Sequence, residues 1–595
     1  MKTQQGTSKR LYRLAGRNRK LYVLAFSCTA ITAALNLSVP VIIGLTVDNI
    51  IIGQSMGIGF LERGVELFGG ADFIAANLWI PFAVIVALTA IRSIFGYTLG
   101  RLNALAAENV SKELRDKIYD HIQKLPYSYH VQAKTGDLIQ RSTSDVENIR
   151  LFLASQISEL ARTAAIIIFS TIVMMNLYLP LAVISMVTLP IIAISSYIFH
   201  YRIKQAFLIQ DEKEGELFDT IQENLAGVRV VRAFGRSGYE MEKFEKRNSE
   251  FRDLARKLFK VRALFWSSSD FVCFFQLFLI LIFGVTFVIN GHITLGTLLV
   301  FWSYGNTFIW PIRAMGRVLA DMGRCGVSLD RIEEILDTPQ EDFNFQGLAP
   351  DLKGDIVFEN VTFTYEDGVP LLKDLSFTIK KGETVAILGS TGSGKSTLIS
   401  LLLLLYDYRG SIKISGVELR NIQKLYLREK VGLVLQEPFL YSKTIEKNLK
   451  MARERVEESE MIKAAKTARV HHVITDFERG YDTIVGERGV TLSGGQRQRV
   501  AIARTIIKNS DILIFDDSLS AVDTETDSQI RAGLKERRKD VTTIIISGRI
   551  NTLMEADRIF VMEKGKVSDM GTHHELSQRE GLYKKIWEIQ RLEID

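Results

Sequence analysis

Apolar positions are concentrated in the first half of the chain. Residues 21–47 and 73–91 contain no charged side chain. Residues 163–201 hold only His200 as an ionisable group of physiological relevance, and residues 271–312 only His292. A helix needs ~20 apolar residues to cross a bilayer, so each of the first two stretches accommodates one span. Each of the last two is about twice that length and breaks near its middle, at Asn176-Leu177-Tyr178-Leu179-Pro180 and at Asn290-Gly291-His292 up to Gly296. The pattern predicts six spans, at about 21–47, 73–100, 156–177, 179–201, 265–289 and 296–318. Beyond residue 320 charges become dense and the apolar runs shorten to strand length, which marks a soluble domain.

Charge sets the orientation. The first twenty residues carry Lys2, Lys9, Arg10, Arg13, Arg17, Arg19 and Lys20 and no acid, whereas the first loop, 48–72, has Arg63 as its one base. Segments 92–162 and 202–262 are long, polar and rich in Lys and Arg. Basic loops stay in the cytoplasm, so the N-terminus, both long segments and the C-terminal domain are expected there. The first apolar run is too long for a cleaved signal peptide, and no small-residue cleavage pattern follows it. The net charge of +6 sits largely beside the spans and implies no nucleic-acid partner. Cys28, Cys273 and Cys325 have the spacing of neither a metal site nor a disulfide framework.

The chemistry lies in the second half. The apolar run Val385-Ala386-Ile387-Leu388 leads into Gly389-Ser390-Thr391-Gly392-Ser393-Gly394-Lys395-Ser396-Thr397, and Leu398-Ile399 continues as a helix. A strand, a glycine-rich loop and a helix in this order form a P-loop. The glycines let backbone N–H groups face phosphates, and the helix N-terminus adds a favourable dipole. Lys395 is placed to pair with the β- and γ-phosphates of ATP and Ser396 to ligate Mg²⁺. A second apolar strand, Ile512-Leu513-Ile514-Phe515, ends in Asp516, a further Mg²⁺ ligand directly or through water.

In order and content the chain resembles an ABC exporter half-transporter of the type I exporter fold. The resemblance implies an all-α six-helix transmembrane domain with long cytoplasmic helical extensions (residues 1–325), a linker (326–352) and an α/β P-loop NTPase domain (353–595). Tyr365 resembles the aromatic residue that stacks on adenine, and Gln436 the glutamine that senses Mg²⁺ and contacts the membrane domain. Leu492-Ser493-Gly494-Gly495-Gln496 is the family signature, and Ser520-Ala521-Val522-Asp523 its D-loop. In this family two ATP-binding domains stack head to tail, so Leu492 to Gln496 would serve the ATP held by a partner subunit. Gly136 and Asp137, and Glu223 and Gly227, resemble the two coupling-helix regions. Asp270, Trp302 and Arg313 are candidates for the substrate path, since ionisable residues at membrane depth are functional candidates by default.

Two positions depart from the family pattern. Asp517 stands where the catalytic glutamate is expected, and Gly548 where a histidine is expected. Phosphoryl transfer is mostly positioning and electrostatics. A side chain one methylene short leaves its carboxylate about 1 Å away, and misplacement on that scale can cost about 100-fold. Glycine offers no group for the γ-phosphate. The expectation is a degenerate-site subunit of a heterodimeric, multidrug-type exporter in a bacterial plasma membrane. It would bind ATP and Mg²⁺ and pair with a non-identical half-transporter that carries the glutamate and histidine. It would move a small amphipathic substrate: a drug, lipid, peptide or tetrapyrrole-like compound. The alternatives are a homodimeric exporter or lipid flippase with Asp517 as a slow base, and an ATP-gated regulator or channel.

Overall fold

A computed structural model describes residues 7–53, 66, 70–343, 345–365, 368–486, 489, 491–520, 522–537 and 540–592. Ala521 of the D-loop and most of the first loop, Arg63 included, lie outside these residues. The chain forms two compact units, Met1–Gln123 with Lys134–Thr338, and Lys124–Ala133 with Pro339–Asp595.

The first unit is helical. Its long elements are α1 (Arg19–Leu45), α2 (Trp79–Gln123), α3 (Ile157–Leu177), α4 (Leu189–Ala226), α5 (Ser237–Ile289) and α6 (Leu295–Asp337). Among the described residues, five continuous helical stretches are long and apolar enough to cross a membrane: Gly16–Ile52, Trp79–Gln123, Thr135–Leu177, Leu179–Ala226 and Ser237–Ile289. The sixth expected span falls on α6, whose uncharged portion ends at Arg313. At 1.5 Å per residue, α2 is about 65 Å long, roughly twice the hydrocarbon thickness. Such helices necessarily continue past the bilayer, which accounts for the long polar segments. Helix α6 runs on to Asp337, so residues 326–337, expected as linker, are helical. Charge density reports contact with water rather than the end of a helix.

One core of this unit gathers Leu37, Met174, Leu181, Ile280, Phe301 and Phe308, and a second gathers Val110, Ile118, Ile149 and Ile332. Phe82, Ile94 and Phe271 point outward and are mostly exposed, as lipid contact permits. Helices α1 and α6 approach closely. A Cβ at Gly296 would lie 2.1 Å from the Gly44 carbonyl oxygen, and Tyr304 Oη donates to Leu37 O at 2.6 Å. Fully buried Asp48 accepts from Gly296 N at 2.7 Å and from Thr294 Oγ1. Asp48→Ala would leave the Gly296 N–H unpaired, an expected cost of about 1–3 kcal/mol, whereas Asp48→Asn retains an acceptor. Thermal unfolding of the two variants in detergent checks this.

The second unit is α/β. A four-stranded antiparallel sheet has the order β2-β1-β4-β5, from β1 (Ile356–Thr364), β2 (Pro370–Ile379), β4 (Arg409–Ile414) and β5 (Val417–Glu418). A six-stranded sheet has the order β10-β9-β3-β8-β7-β6. Its strands are β3 (Thr384–Gly389), β6 (Val431–Val434), β7 (Ile512–Asp516), β8 (Thr542–Ile546), β9 (Arg558–Glu563) and β10 (Lys566–Gly571). Strands β3, β6, β7, β8 and β9 run parallel, and β10 is antiparallel to β9. Strands buried on both faces need continuous apolar sequence. Val385–Leu388, Ile512, Ile514, Phe515 and Ile544–Ile546 supply it, all nearly inaccessible to water. In such sheets ligands bind beyond the carboxyl ends of the strands, which here carry Gly389, Asp516 and Ser547.

Candidate functional site

The P-loop joins β3 to α7 (Lys395–Leu402). Gly392 (φ +81°) and Gly394 (φ +98°) take left-handed conformations that only glycine adopts without strain. They turn the loop so that Lys395 Nζ donates to the carbonyl oxygens of Gly389 at 2.8 Å and Ser390 at 2.9 Å. Burial lowers the Lys395 pKa, opposed by the nearby Asp516 and Asp517 carboxylates. The ammonium therefore sits in a partly desolvated loop, where its attraction for phosphate is enhanced. Ser396 Oγ donates to Asp516 Oδ1 at 3.2 Å, which unites the hydroxyl and carboxylate expected at Mg²⁺. Mg²⁺ commonly takes only one or two protein groups and completes its shell with water and phosphate, and this pair fits that need.

Asp517 directly follows β7. Its φ of +47° is left-handed, a conformation that aspartate tolerates better than most side chains. The turn is held by Asp517 N donating to Ile546 O at 2.9 Å and by Ser520 Oγ donating to Asp517 O at 2.7 Å. Gln436 Nε2 donates to Asp517 Oδ2 at 3.2 Å, so two residues selected separately in the sequence meet. Burial raises the pKa of both Asp516 and Asp517. Ser396 and Lys395 oppose the rise at Asp516, where Asp517 adds to it, and Arg549 and Lys395 oppose it at Asp517.

Gly548 follows β8. A Cβ built there meets no atom within 4 Å outside its chain neighbours, so a side chain can leave the backbone here without a clash at its first atom. The adjacent Arg549 binds carbonyl oxygens of the D-loop, Val522 O at 2.7 Å among them. Tyr365 is about one-third exposed. Its hydroxyl lies 3.2 Å from Thr397 Oγ1, and its ring packs edge-on against Phe363 at 4.8 Å and Tyr406 at 5.5 Å. Tyr406 in turn meets Tyr127 at 5.6 Å. Tyr365→Ala is expected to weaken ATP binding by about 1–3 kcal/mol, the usual worth of a base stacked on an aromatic ring. Equilibrium titration with a fluorescent ATP analogue reads this directly.

The signature begins helix α8 (Gly494–Ile507). Ser493 caps it in a reciprocal box, with Ser493 N donating to Gln496 Oε1 at 2.9 Å and Gln496 N to Ser493 Oγ at 3.3 Å. Leu492 is buried and anchors the turn. Gly494 and Gly495 fill the first helical positions, where unpaired N–H groups and the helix dipole attract anions.

The remaining expected residues lie in the helical unit. Asp137 pairs with Arg141 at 2.7 Å, and Glu223 with Lys243 at 2.8 Å. Gly136 begins a short helix, Thr135–Gln140, and Gly227 ends α4, its N–H donating to Glu223 O at 2.8 Å. The peptide that clusters with the ATP-binding unit is Lys124–Ala133, just before Gly136. Asp270 and Arg313 form an ion pair at 2.5 Å, and the Arg313 guanidinium lies 5.7 Å from the Trp266 ring centre. Trp302 is partly exposed and shares no ring contact with this group among the described residues. Sequence reasoning passed over Arg549, Tyr406 and Tyr127. Arg549 had one signal, its place directly after Gly548; the two tyrosines had none.

Comparison with known proteins places this geometry. Residues 22–312 match the ABC transporter transmembrane region, and residues 372–520 match the ABC transporter ATP-binding family. The chain is 32% identical to the putative multidrug export ATP-binding/permease protein YgaD of Bacillus subtilis, over 99% of this chain and all of that protein. It is 30% identical to the ATP-dependent lipid A-core flippase of Syntrophus aciditrophicus, over 98% of this chain and 94% of the relative. It superposes on the structure of a bacterial Atm1-family ABC exporter with ATP bound, with a TM-score of 0.80 and 25% identity. That match covers 96% of this chain and 98% of the other. The chain belongs to the ABC transporter family, as an exporter half-transporter with a helical transmembrane domain and an ATP-binding domain. It is an ATPase-coupled translocase of the plasma membrane, with its ATP-binding domain in the cytoplasm.

Proposed function

We propose that this chain is the degenerate-site subunit of a heterodimeric ABC exporter. It holds Mg-ATP on Lys395, Ser396 and Asp516, and it lends Ser493, Gly494 and Gly495 to the ATP of a different half-transporter. That partner carries the catalytic glutamate and the histidine. The observation that carries the reading is the pairing of complete binding elements with an open Gly548 position, where a Cβ meets no atom within 4 Å outside its chain neighbours. Mg²⁺ supplies charge neutralisation at the β- and γ-phosphates; Gln436 orients Asp517, and Lys395 holds the phosphates. ATP binding closes the two ATP-binding domains and turns the transmembrane cavity outward, and hydrolysis at the partner's site resets it. Glu223, Gly227, Gly136 and Asp137 act with Lys124–Ala133 in transmitting closure. Asp270, Arg313 and Trp302 contribute to the path of an amphipathic substrate. The domains run over residues 1–325 for the transmembrane domain, 326–352 for the linker and 353–595 for the ATP-binding domain.

Isolation of the tagged chain from its own membranes tests the pairing. The expected result is an equimolar complex with a second half-transporter that has Asp-Glu after its β7 equivalent and a histidine in its switch loop, the loop that carries Gly548 in this chain. Recovery of the chain only with copies of itself would contradict it.

A second reading has one observation in its favour. Gln436 is in contact with Asp517, whose pKa is raised by burial, as suits a weak general base in a homodimer. A base works ionised, and a raised pKa moves the loss of that form to higher pH. Under this reading the residual ATPase of the chain alone falls, on acidification, at a pH above the ordinary aspartate range. Asp517→Asn abolishes the limb together with the activity. Under the heterodimer reading Asp517→Asn leaves the profile of the complex unchanged.

A further inference from the structure

The loop carrying Gly548 is gripped from outside the nucleotide pocket. Gln590 lies on the last of the described helices, α9 (Leu582–Leu592). Its Nε2 donates to Gly548 O at 2.8 Å, and its Oε1 accepts from Ile550 N at 2.9 Å. One planar carboxamide thus holds the backbone on both sides of Arg549. Between these two points Arg549 sends its guanidinium to the D-loop. Nη1 donates to Val522 O at 2.7 Å and Leu519 O at 3.4 Å, and Nη2 donates to Ser520 O.

Gln590 is not what docks the helix. Tyr583 is buried against Ile550 and Leu553, with Ile586 and Trp587 packed beside it, and Tyr583 Oη lies 2.7 Å from His573 Nδ1. Gln590 lies about two turns beyond Tyr583 and is more exposed. Its two hydrogen bonds are both directed at the switch loop.

We infer that Gln590 is a positioning residue for ATP hydrolysis: the C-terminal helix fixes the histidine-less loop so that Arg549 stays latched on the D-loop. In a loop without a side chain at position 548, nothing else among the described hydrogen bonds ties both Gly548 O and Ile550 N. Loss of the clamp frees Arg549 and with it Leu519, Ser520 and Val522, and displacements of this size degrade phosphoryl transfer without removing any group that binds ATP. The inference rests on the homodimer reading, in which this chain's own site turns over; Asp517→Asn in the same preparation reports whether it does, which separates a failure of that reading from a failure of the clamp.

The test uses the full transporter in lipid nanodiscs. Gln590→Met keeps length and apolar fit and loses both hydrogen bonds. The expected result is a fall in kcat of roughly tenfold with KM for ATP within about twofold, since misplacement lowers the rate while leaving uniform binding intact. In the double variant with Arg549→Lys the two effects are expected to be non-additive, because Gln590 acts through Arg549. Hydrogen exchange of the same samples should quicken both at residues 546–553 and at the D-loop. Gln590→Glu, which retains one acceptor, replaces Gln590→Met if the latter fails to fold. Unchanged kcat with a lowered melting temperature would make Gln590 merely structural. Additive effects, or exchange quickened at the switch loop with the D-loop unchanged, would equally overturn the inference.

Discussion

Gly495→Asp is expected to lower ATP turnover of the assembled transporter by about 100-fold or more, the scale seen when preorganised donors to a developing charge are lost. Gly495 sits in the first turn of α8, two residues after the Ser493 cap. An acidic side chain there suits the helix, because carboxylates stabilise N-termini. The fold therefore tolerates the change. The same carboxylate occupies the place where the signature should face the γ-phosphate of the partner's ATP, and like charges in a dehydrated site repel strongly. Asp517→Asn in the same complex is expected to change turnover by less than about threefold, because this chain's own site contributes little to the hydrolysis. The measurement is steady-state phosphate release from the two variant complexes. The contrast between them carries the asymmetry of the proposal.

The converse experiment has the second largest expected effect. Asp517→Glu together with Gly548→His should raise the ATPase of this chain alone by at least about tenfold, since both missing groups return to a site whose binding elements are intact. Space is available, with nothing within 4 Å of a Cβ at Gly548. Glutamate extends the carboxylate past the position where Gln436 now holds Asp517 at 3.2 Å, towards the attacking water. The left-handed φ of +47° at this position suits glutamate less than aspartate, so a loss of stability below about 1–2 kcal/mol is expected. Phosphate release at saturating Mg-ATP, with thermal unfolding alongside, reads both effects. Either single substitution should recover only part of the gain, because base and histidine act as one unit.

Much of the site is visible in the sequence because its chemistry depends on local order. The P-loop requires its glycines at fixed spacing, and Gly392 and Gly394 adopt the left-handed turns that the spacing implies. The signature is equally local, since the Ser493–Gln496 box closes within three residues. Spans were legible because lipid demands unbroken apolar length. Helix ends were not: α6 carries charge and remains helical to Asp337, because charged residues are good helix formers in water. The grip of Gln590 on Gly548 and Ile550 joins residues 42 and 40 positions apart. The ring contact of Tyr127 with Tyr406 spans a far longer separation. Neither leaves a periodicity or a motif, since both depend on how β8, α9 and the P-loop helix are placed by the sheet.

The most direct test of the heterodimer is the Mg-ATPase of this chain purified alone, set beside that of the same chain bound to the half-transporter that co-purifies with it. The account predicts turnover only in the mixed complex, abolished by replacing the partner's catalytic glutamate with glutamine and insensitive to Asp517→Asn. Robust turnover by this chain alone, lost in Asp517→Asn, would contradict it and make the protein a homodimer with an aspartate base.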